Sequence, residues 1–186
     1  MRSWSSGICL PIMLQNYCRL LRRKRLMNYS GLNTCDSTNG DGLRVSLFVS
    51  GCSLHCKGCF NKDAWDKNYG KEFTEETMNA LLEALRSPWI NGLSILGGDP
   101  LEAYNIPTVS YIVAMVKQLC PAKTIWLWTG RKYEQIKDLA LLKYVDVLIT
   151  EPFIERKKCN GKYYGSSNQR VYWRSSGEAE GFVQDY

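Results

Sequence analysis

The sequence contains no apolar run long enough to cross a bilayer, which takes about 20 residues as a helix, and this sets aside a transmembrane role. It shows no internal repeat and no long linker, so its 186 residues read as one catalytic unit with tails rather than two full domains. Acidic residues are missing from residues 1–26, which hold Arg2, Arg19, Arg22, Arg23, Lys24 and Arg25. Those side chains account for the whole net charge of +6, because beyond Leu26 18 basic residues face 18 acidic ones. A formally neutral body does not supply the clustered Lys and Arg of a nucleic-acid groove, so no nucleic-acid partner is expected.

An export signal is lacking too. In residues 1–26 the apolar stretch precedes the basic cluster, the reverse of a secretory signal. Residues 1–26 are expected to be a basic N-terminal extension, either disordered or upstream sequence read in with the gene, and Met27 opens a segment of different composition. The chain has eight cysteines, three of them packed into eight residues. Without an export signal, this pattern fits a reducing, cytoplasmic compartment better than a disulfide framework.

Strand and helix signals alternate along the body. Leu43 to Ser50 reads as a strand entering Gly51. Thr74 is placed to cap a helix with Glu75 and Glu76 in its first turn and Met78, Leu81, Leu82 and Leu85 at helical spacing, ending at Pro88. Gly92 to Leu96 is a short strand running into Gly97-Gly98-Asp99-Pro100, and Pro107 starts a helix using Ile112, Val113, Val116 and Leu119. A third strand at Thr124 to Trp128 precedes a helix through Ile136, Leu139 and Leu142, then a strand at Val145 to Ile149. Beyond Glu151 no periodicity is evident, and EAEGFVQDY reads as a loose tail.

Alternation of this kind implies a parallel sheet with right-handed helical crossovers, either an open α/β sheet or part of a β/α barrel. The expectation is a single α/β domain of parallel β/α repeats forming a partial, incomplete TIM-like barrel. The loops at Gly51 to Asn61, Gly97 to Pro100 and Thr129 to Gly130 all leave C-terminal strand ends and should share one rim, where sites gather in such folds.

The segment GCSLHCKGCFN places Cys52, Cys56 and Cys59 at the spacing Cys-x3-Cys-x2-Cys on one loop. Three thiols can wrap a compact iron-sulfur cluster and leave one iron of four open to a small molecule, whereas a fully ligated cluster mainly transfers electrons. The alternatives are unligated structural cysteines and a zinc knuckle, with His55 as its candidate fourth ligand. Zinc sites usually pair ligands from two segments, and no second pair with that spacing occurs. His55, the sole histidine, adjoins Cys56 and reads as solvent-facing or as supporting the site from behind. The glycines of Gly97-Gly98 let a ligand approach backbone carbonyls, or else mark a plain strand-to-helix turn. Trp126 and Trp128 read as packing residues of a buried strand, with Thr129 and Gly130 the better cofactor candidates.

The cysteine spacing followed by Phe60, together with Gly97-Gly98-Asp99-Pro100 downstream, resembles the radical S-adenosylmethionine superfamily. Many members carry Glu where this chain has Asp99; Asp occurs in one subgroup, the activating proteins of anaerobic ribonucleoside-triphosphate reductases. NGDGLRVSLFVSGC, CFNKDAW, LSILGGDPL, IWLWTG and YGSSNQR all resemble that subgroup, so the likeness runs from about Met27 to about Arg174.

The resemblance implies a catalytic domain over 27–174 and a C-terminal tail over 175–186. It implies a 4Fe-4S cluster on Cys52, Cys56 and Cys59, and S-adenosylmethionine bound beside Gly58, Cys59, Phe60, Gly97, Gly98, Asp99 and Thr129. The implied activity is an oxidoreductase reaction: reductive cleavage of S-adenosylmethionine to a radical that takes hydrogen from a glycine of the reductase, with an electron donor such as a flavodoxin. Two alternatives stand beside it: a small radical enzyme acting on another glycyl-radical protein or a small molecule, and a non-catalytic metal-binding module.

Overall fold

The computed structural model describes residues 27–160, 163–175 and 181–184. The basic extension at 1–26, with Cys9 and Cys18, lies outside the described residues, as does most of the segment expected to be a C-terminal tail.

Eight strands form one mixed sheet: β1 (Asn28–Asp36), β2 (Leu43–Val49), β3 (Lys71–Glu72), β4 (Ile90–Gly97), β5 (Thr124–Trp128), β6 (Val147–Thr150), β7 (Arg170–Arg174) and β8 (Phe182–Gln184). Their order is β3-β1-β2-β4-β5-β6-β7-β8, so the sheet is open, with edges at β3 and β8. The central strands β2, β4, β5 and β6 run parallel, as the alternating pattern implied. Both flanks are antiparallel: β1 against β2 and β3, and β7 against β6 and β8. The expectation of parallel repeats throughout therefore holds for the centre alone.

The flanking strands escaped the sequence reading for physical reasons. NYSGLNTCD in β1 carries Asn, Gly and Asp, which favour turns, and its ladder with β2 has two register shifts. β7, in the stretch beyond Glu151 where no periodicity is evident, and the three-residue β8, expected to be tail, are held by pairing onto an existing edge.

Helices α1 (Glu75–Leu85) and α2 (Ile106–Leu119) pack on one face of the sheet. Thr74 caps α1 by accepting the Thr77 amide at 3.3 Å, and Met78, Leu81, Leu82 and Leu85 are buried. The third expected helix is one turn, α3 (Tyr133–Ile136), followed by a 3-10 segment at Ala140–Tyr144. Leu139 is extended, at φ −70° and ψ 120°, and breaks the run. Ile136, Leu141 and Leu142 are still buried by these successive tight turns, so apolar spacing alone did not separate turns from a helix.

Alternation along the strands sorts the sheet into two faces. Val45, Leu47, Val49, Leu93, Ile95, Ile125, Leu127 and Leu148 face the helices in one apolar core. Trp126, Val147, Ile149 and Val171 form a second cluster with Trp128, Tyr163, Tyr164 and Trp173 on the opposite face. Buried Arg44 lies on that face too; it donates to Ser94 Oγ at 2.7 Å and to the carbonyls of Leu93 and Thr124, and it stacks over Trp126 at 5.1 Å. Among the described residues, no helix is long and apolar enough to cross a membrane.

Candidate active site

A cavity of about 530 Å³ opens on the face away from the helices. The loops leaving the C-terminal ends of β2, β4, β5 and β6 all contribute to its wall. Cys52, Cys56, Gly58, Cys59 and Phe60 come from the first, Gly97 and Gly98 from the second, Thr129 and Gly130 from the third, and Glu151 and Phe153 from the fourth. The shared rim expected from the alternating order is therefore present.

The cysteine loop folds back on itself through positive φ at Gly51 (96°), His55 (45°) and Gly58 (76°). A side chain at Gly51 would collide with the ring of Tyr104. All three thiols are partly buried and free of disulfides. Burial pushes the Cys52 and Cys56 thiols above their ordinary range, so binding a metal must displace their protons. His55 stacks on Trp65, with ring centroids 4.6 Å apart, and is not part of the cavity wall.

These donors suit an iron-sulfur cluster better than a single ion. A tetrahedral zinc draws its donors to within about 2.3 Å of one point, and no trio of His, Cys, Asp or Glu is gathered in that way among the described residues. The three cysteines line one cavity wall, with room beside them for a group larger than a single ion.

The glycines of the second loop have a structural task as well. Gly97 has φ 110°, and a Cβ there would come within 2.6 Å of the Val49 carbonyl. A Cβ on Gly98 would lie 2.5 Å from the Gly51 carbonyl oxygen and 2.9 Å from that of Ala64. Their amide neighbours knit the loops together: Gly98 N–H donates to Val49 at 2.7 Å and Asp99 N–H to Gly51 at 2.8 Å. Only glycine permits this approach, which brings the glycine-rich turn against the cysteine loop.

Asp99 lies behind the wall rather than on it. It is fully buried, and burial pushes its carboxyl above the usual carboxylate range against the pull of the Leu101 amide, Thr129 and Arg131. Thr129 donates its hydroxyl to Asp99 at 2.8 Å and accepts the Arg131 amide at 3.2 Å. The hydroxyl expected to meet a cofactor is thus engaged with the carboxylate expected to do the same, and the pair joins two loops. Phe60 stands at the mouth, 90% exposed.

Several residues of the site gave no signal in the sequence. Glu102, Asn105 and Arg131 are buried or half-buried behind the loops. Tyr104 lies beside them, its phenol pushed up to about 12 by burial and the nearby carboxylates. Trp128, read only as packing, lines the cavity and donates its indole N–H to the Tyr163 carbonyl at 2.8 Å. Cys159 lines it as well. The GSSNQR segment is an ordered turn: Gln169 accepts from the Gly165 and Ser166 amides, donates to the Glu151 carbonyl at 3.3 Å, and lines the cavity.

The family model for a 4Fe-4S single cluster domain matches residues 38–172. The chain is 43% identical over 151 residues to the anaerobic ribonucleoside-triphosphate reductase-activating protein of Enterobacteria phage T4, covering 81% of this chain and 97% of that one. It belongs to the family of these activating proteins. Its counterpart in Vibrio cholerae is 40% identical, over 78% of this chain and 97% of the relative. The Escherichia coli counterpart is 36% identical, over 78% and 98%. The 4Fe-4S domain match spans the cysteine loop and the glycine-rich turn, running from beyond β1 into β7.

Proposed function

We propose that this chain activates an anaerobic ribonucleoside-triphosphate reductase by generating a glycyl radical on it, through reductive cleavage of S-adenosylmethionine at a 4Fe-4S cluster. The observation that carries the reading is the meeting of Cys52, Cys56 and Cys59 with Gly97 and Gly98 around one open cavity, in a chain 36–43% identical to reductase-activating proteins.

When bound, a 4Fe-4S cluster held by Cys52, Cys56 and Cys59 would supply the electron for reductive cleavage of S-adenosylmethionine, and the bound cofactor would supply the means of hydrogen abstraction from the partner's glycine. The chain's own part is placement. Cys52, Cys56 and Cys59 hold the cluster and leave one iron without a protein ligand. An ammonium group only donates, so the carbonyls of Gly97 and Gly98 are the groups of this turn that can accept from it, while the amides of Gly98 and Asp99 hold the turn to Val49 and Gly51. Gly58 and Phe60 flank the adenosyl end, while Asp99 and Thr129 act from behind by fixing two loops to each other. Trp128 and Phe153 give the wall apolar surface that excludes water from the reacting centre.

The catalytic domain spans 27–174 in this reading, with the ligation loops at one end of a sheet that forms part of a barrel. The electron donor is a reduced flavodoxin-type protein, for which the exposed Lys57 beside the cluster offers a contact to an acidic surface. A reducing cytoplasm is the compartment of this reading, supported by its dependence on free thiols and oxygen-sensitive chemistry.

Anaerobic reconstitution tests the reading. The expected result is iron and sulfide on the chain, reductive cleavage of S-adenosylmethionine, and a glycyl signal in electron paramagnetic resonance on adding the reductase. Zinc in place of iron, with no cleavage, would identify a non-catalytic metal module. Cleavage without a signal on the reductase would assign another substrate.

A further inference from the structure

The two halves of the cysteine loop are held very differently. Every residue from Ser50 to Ser53 has a partner outside the loop. Asn105 donates its side-chain amide to the Ser50 carbonyl and the Asp99 carbonyl, both at 3.0 Å. The Gly51 carbonyl accepts the Asp99 amide at 2.8 Å, and the Cys52 amide donates to Trp65 at 3.1 Å. The Ser53 amide and hydroxyl both donate to Glu102 Oε1, at 2.7 and 2.6 Å.

The second half lacks such a frame. The Cys59 amide donates to Cys56 within the loop itself at 3.1 Å. Its outside contacts are made by side chains: the Cys56 thiol faces the Phe153 amide, the His55 ring lies against Trp65, and Lys57 meets Glu155 at 3.5 Å, between side chains that are 92% and 48% exposed. Such a surface pair contributes little.

Glu102 is the unusual member of this frame. It is 6% exposed, and a carboxylate so buried is costly unless both oxygens are satisfied. Oε1 takes the two Ser53 donors and Oε2 takes Arg131 Nη2 at 3.0 Å, so one side chain ties the residue next to Cys52 to the loop after β5. Neither α2 nor the core needs a carboxylate there; its partners all belong to the rim.

We propose that Glu102 is a positioning residue for the cluster: through Ser53 and Arg131 it fixes the Cys52 thiol before loading, and Cys56 and Cys59 settle onto the cluster afterwards. The inference rests on the cluster reading above. The structure thereby divides the ligation loop into a preformed anchor and an adaptable arm, which is how a bulky cluster can enter a site whose first ligand is already in place.

The test compares the reconstituted wild-type chain with Glu102→Ala, Glu102→Gln and Ser53→Ala. Glu102→Ala is expected to release iron to a chelator about 10-fold faster, within the range found for groups that orient metal ligands, and to shift the electron paramagnetic resonance spectrum of the reduced cluster. Glu102→Gln, which keeps an acceptor for Ser53, should recover most of the wild-type spectrum, and Ser53→Ala should fall between. Release within about twofold of wild type and an unaltered spectrum in both Glu102→Ala and Ser53→Ala would overturn the proposal. So would a fall in the melting temperature of the cluster-free chain with an unchanged spectrum, which marks a merely structural role. If Glu102→Ala does not fold, Ser53→Ala and Glu102→Gln decide by the same two readouts. A wild-type chain that takes up no iron would refute the cluster reading instead.

Discussion

The two faces of the central sheet are built from alternate residues of the same strands, yet they solve different problems. Toward the helices, Leu47, Ile95, Leu127 and Leu148 are fully buried in an apolar core. Toward the cavity, the same strands present Arg44, Ser94, Leu96, Trp126 and Trp128, a mixture of buried hydrogen bonds, stacked rings and open space. One face stabilises the fold by area removed from water; the other keeps volume free and spends polar groups on holding loops. The difference shows how one strand pattern can carry stability and chemistry without mixing them.

Substitutions on each face should separate the two. The largest effect is expected for Cys56→Ala, which should reduce reconstituted iron to background while leaving the cluster-free chain within about 0.5 kcal/mol of wild type by denaturant titration. Leu47→Ala should do the reverse, costing about 2–5 kcal/mol of folding stability with the thiol set intact; equal loss of iron per folded molecule would break the division. Gly98→Ala lies on the seam. Its Cβ would press on the Gly51 carbonyl from 2.5 Å, so it should cost about 1–3 kcal/mol and also impair iron uptake, measured side by side.

Thr74→Ala removes the α1 cap on the helix side; a loss of about 1 kcal/mol with unchanged iron content is expected. The smallest effect is a pH dependence at the floor of the cavity side. Burial raises the Asp36 carboxyl, but hydrogen bonds from Thr38 and Asn39 outweigh it and bring the pKa down to about 2 from 3.8. A depressed pKa gives stability that is present above the unfolded value and lost as pH falls through the folded one. The difference in melting temperature between wild type and Asp36→Asn should therefore shrink as pH falls from 4 toward about 2. A constant difference would mean that the charge plays no part.

The parallel centre was legible because its strands are apolar runs that end in punctuation. Gly51, Gly97 and Thr129-Gly130 each stop a strand where a site loop begins, and Thr74 with Glu75 and Glu76 announces α1. The antiparallel margins were not. β1 reads as turn-forming sequence, β7 lies in a stretch without clear periodicity and β8 reads as tail, because edge strands take their order from the strand already beside them. In the site, the cysteine spacing and the paired glycines were visible as short motifs. Glu102, Asn105 and Arg131 were not, since a lone polar residue near a turn carries no local sign of burial.

The sequence by itself determined the donor set and its placement on the rim: thiols at fixed spacing on one loop, and glycines where no side chain fits. It determined the parallel order as well, since short apolar strands joined by helical stretches can pair in few other ways. Only the tertiary structure decided that Thr129 on the cavity wall bonds Asp99 behind it, that Trp128 and Gln169 line the cavity, and that the backbone around Cys52 is tied to other loops while the Cys59 amide bonds within its own loop. These depend on contacts between residues 30 to 49 positions apart, which local pattern does not encode.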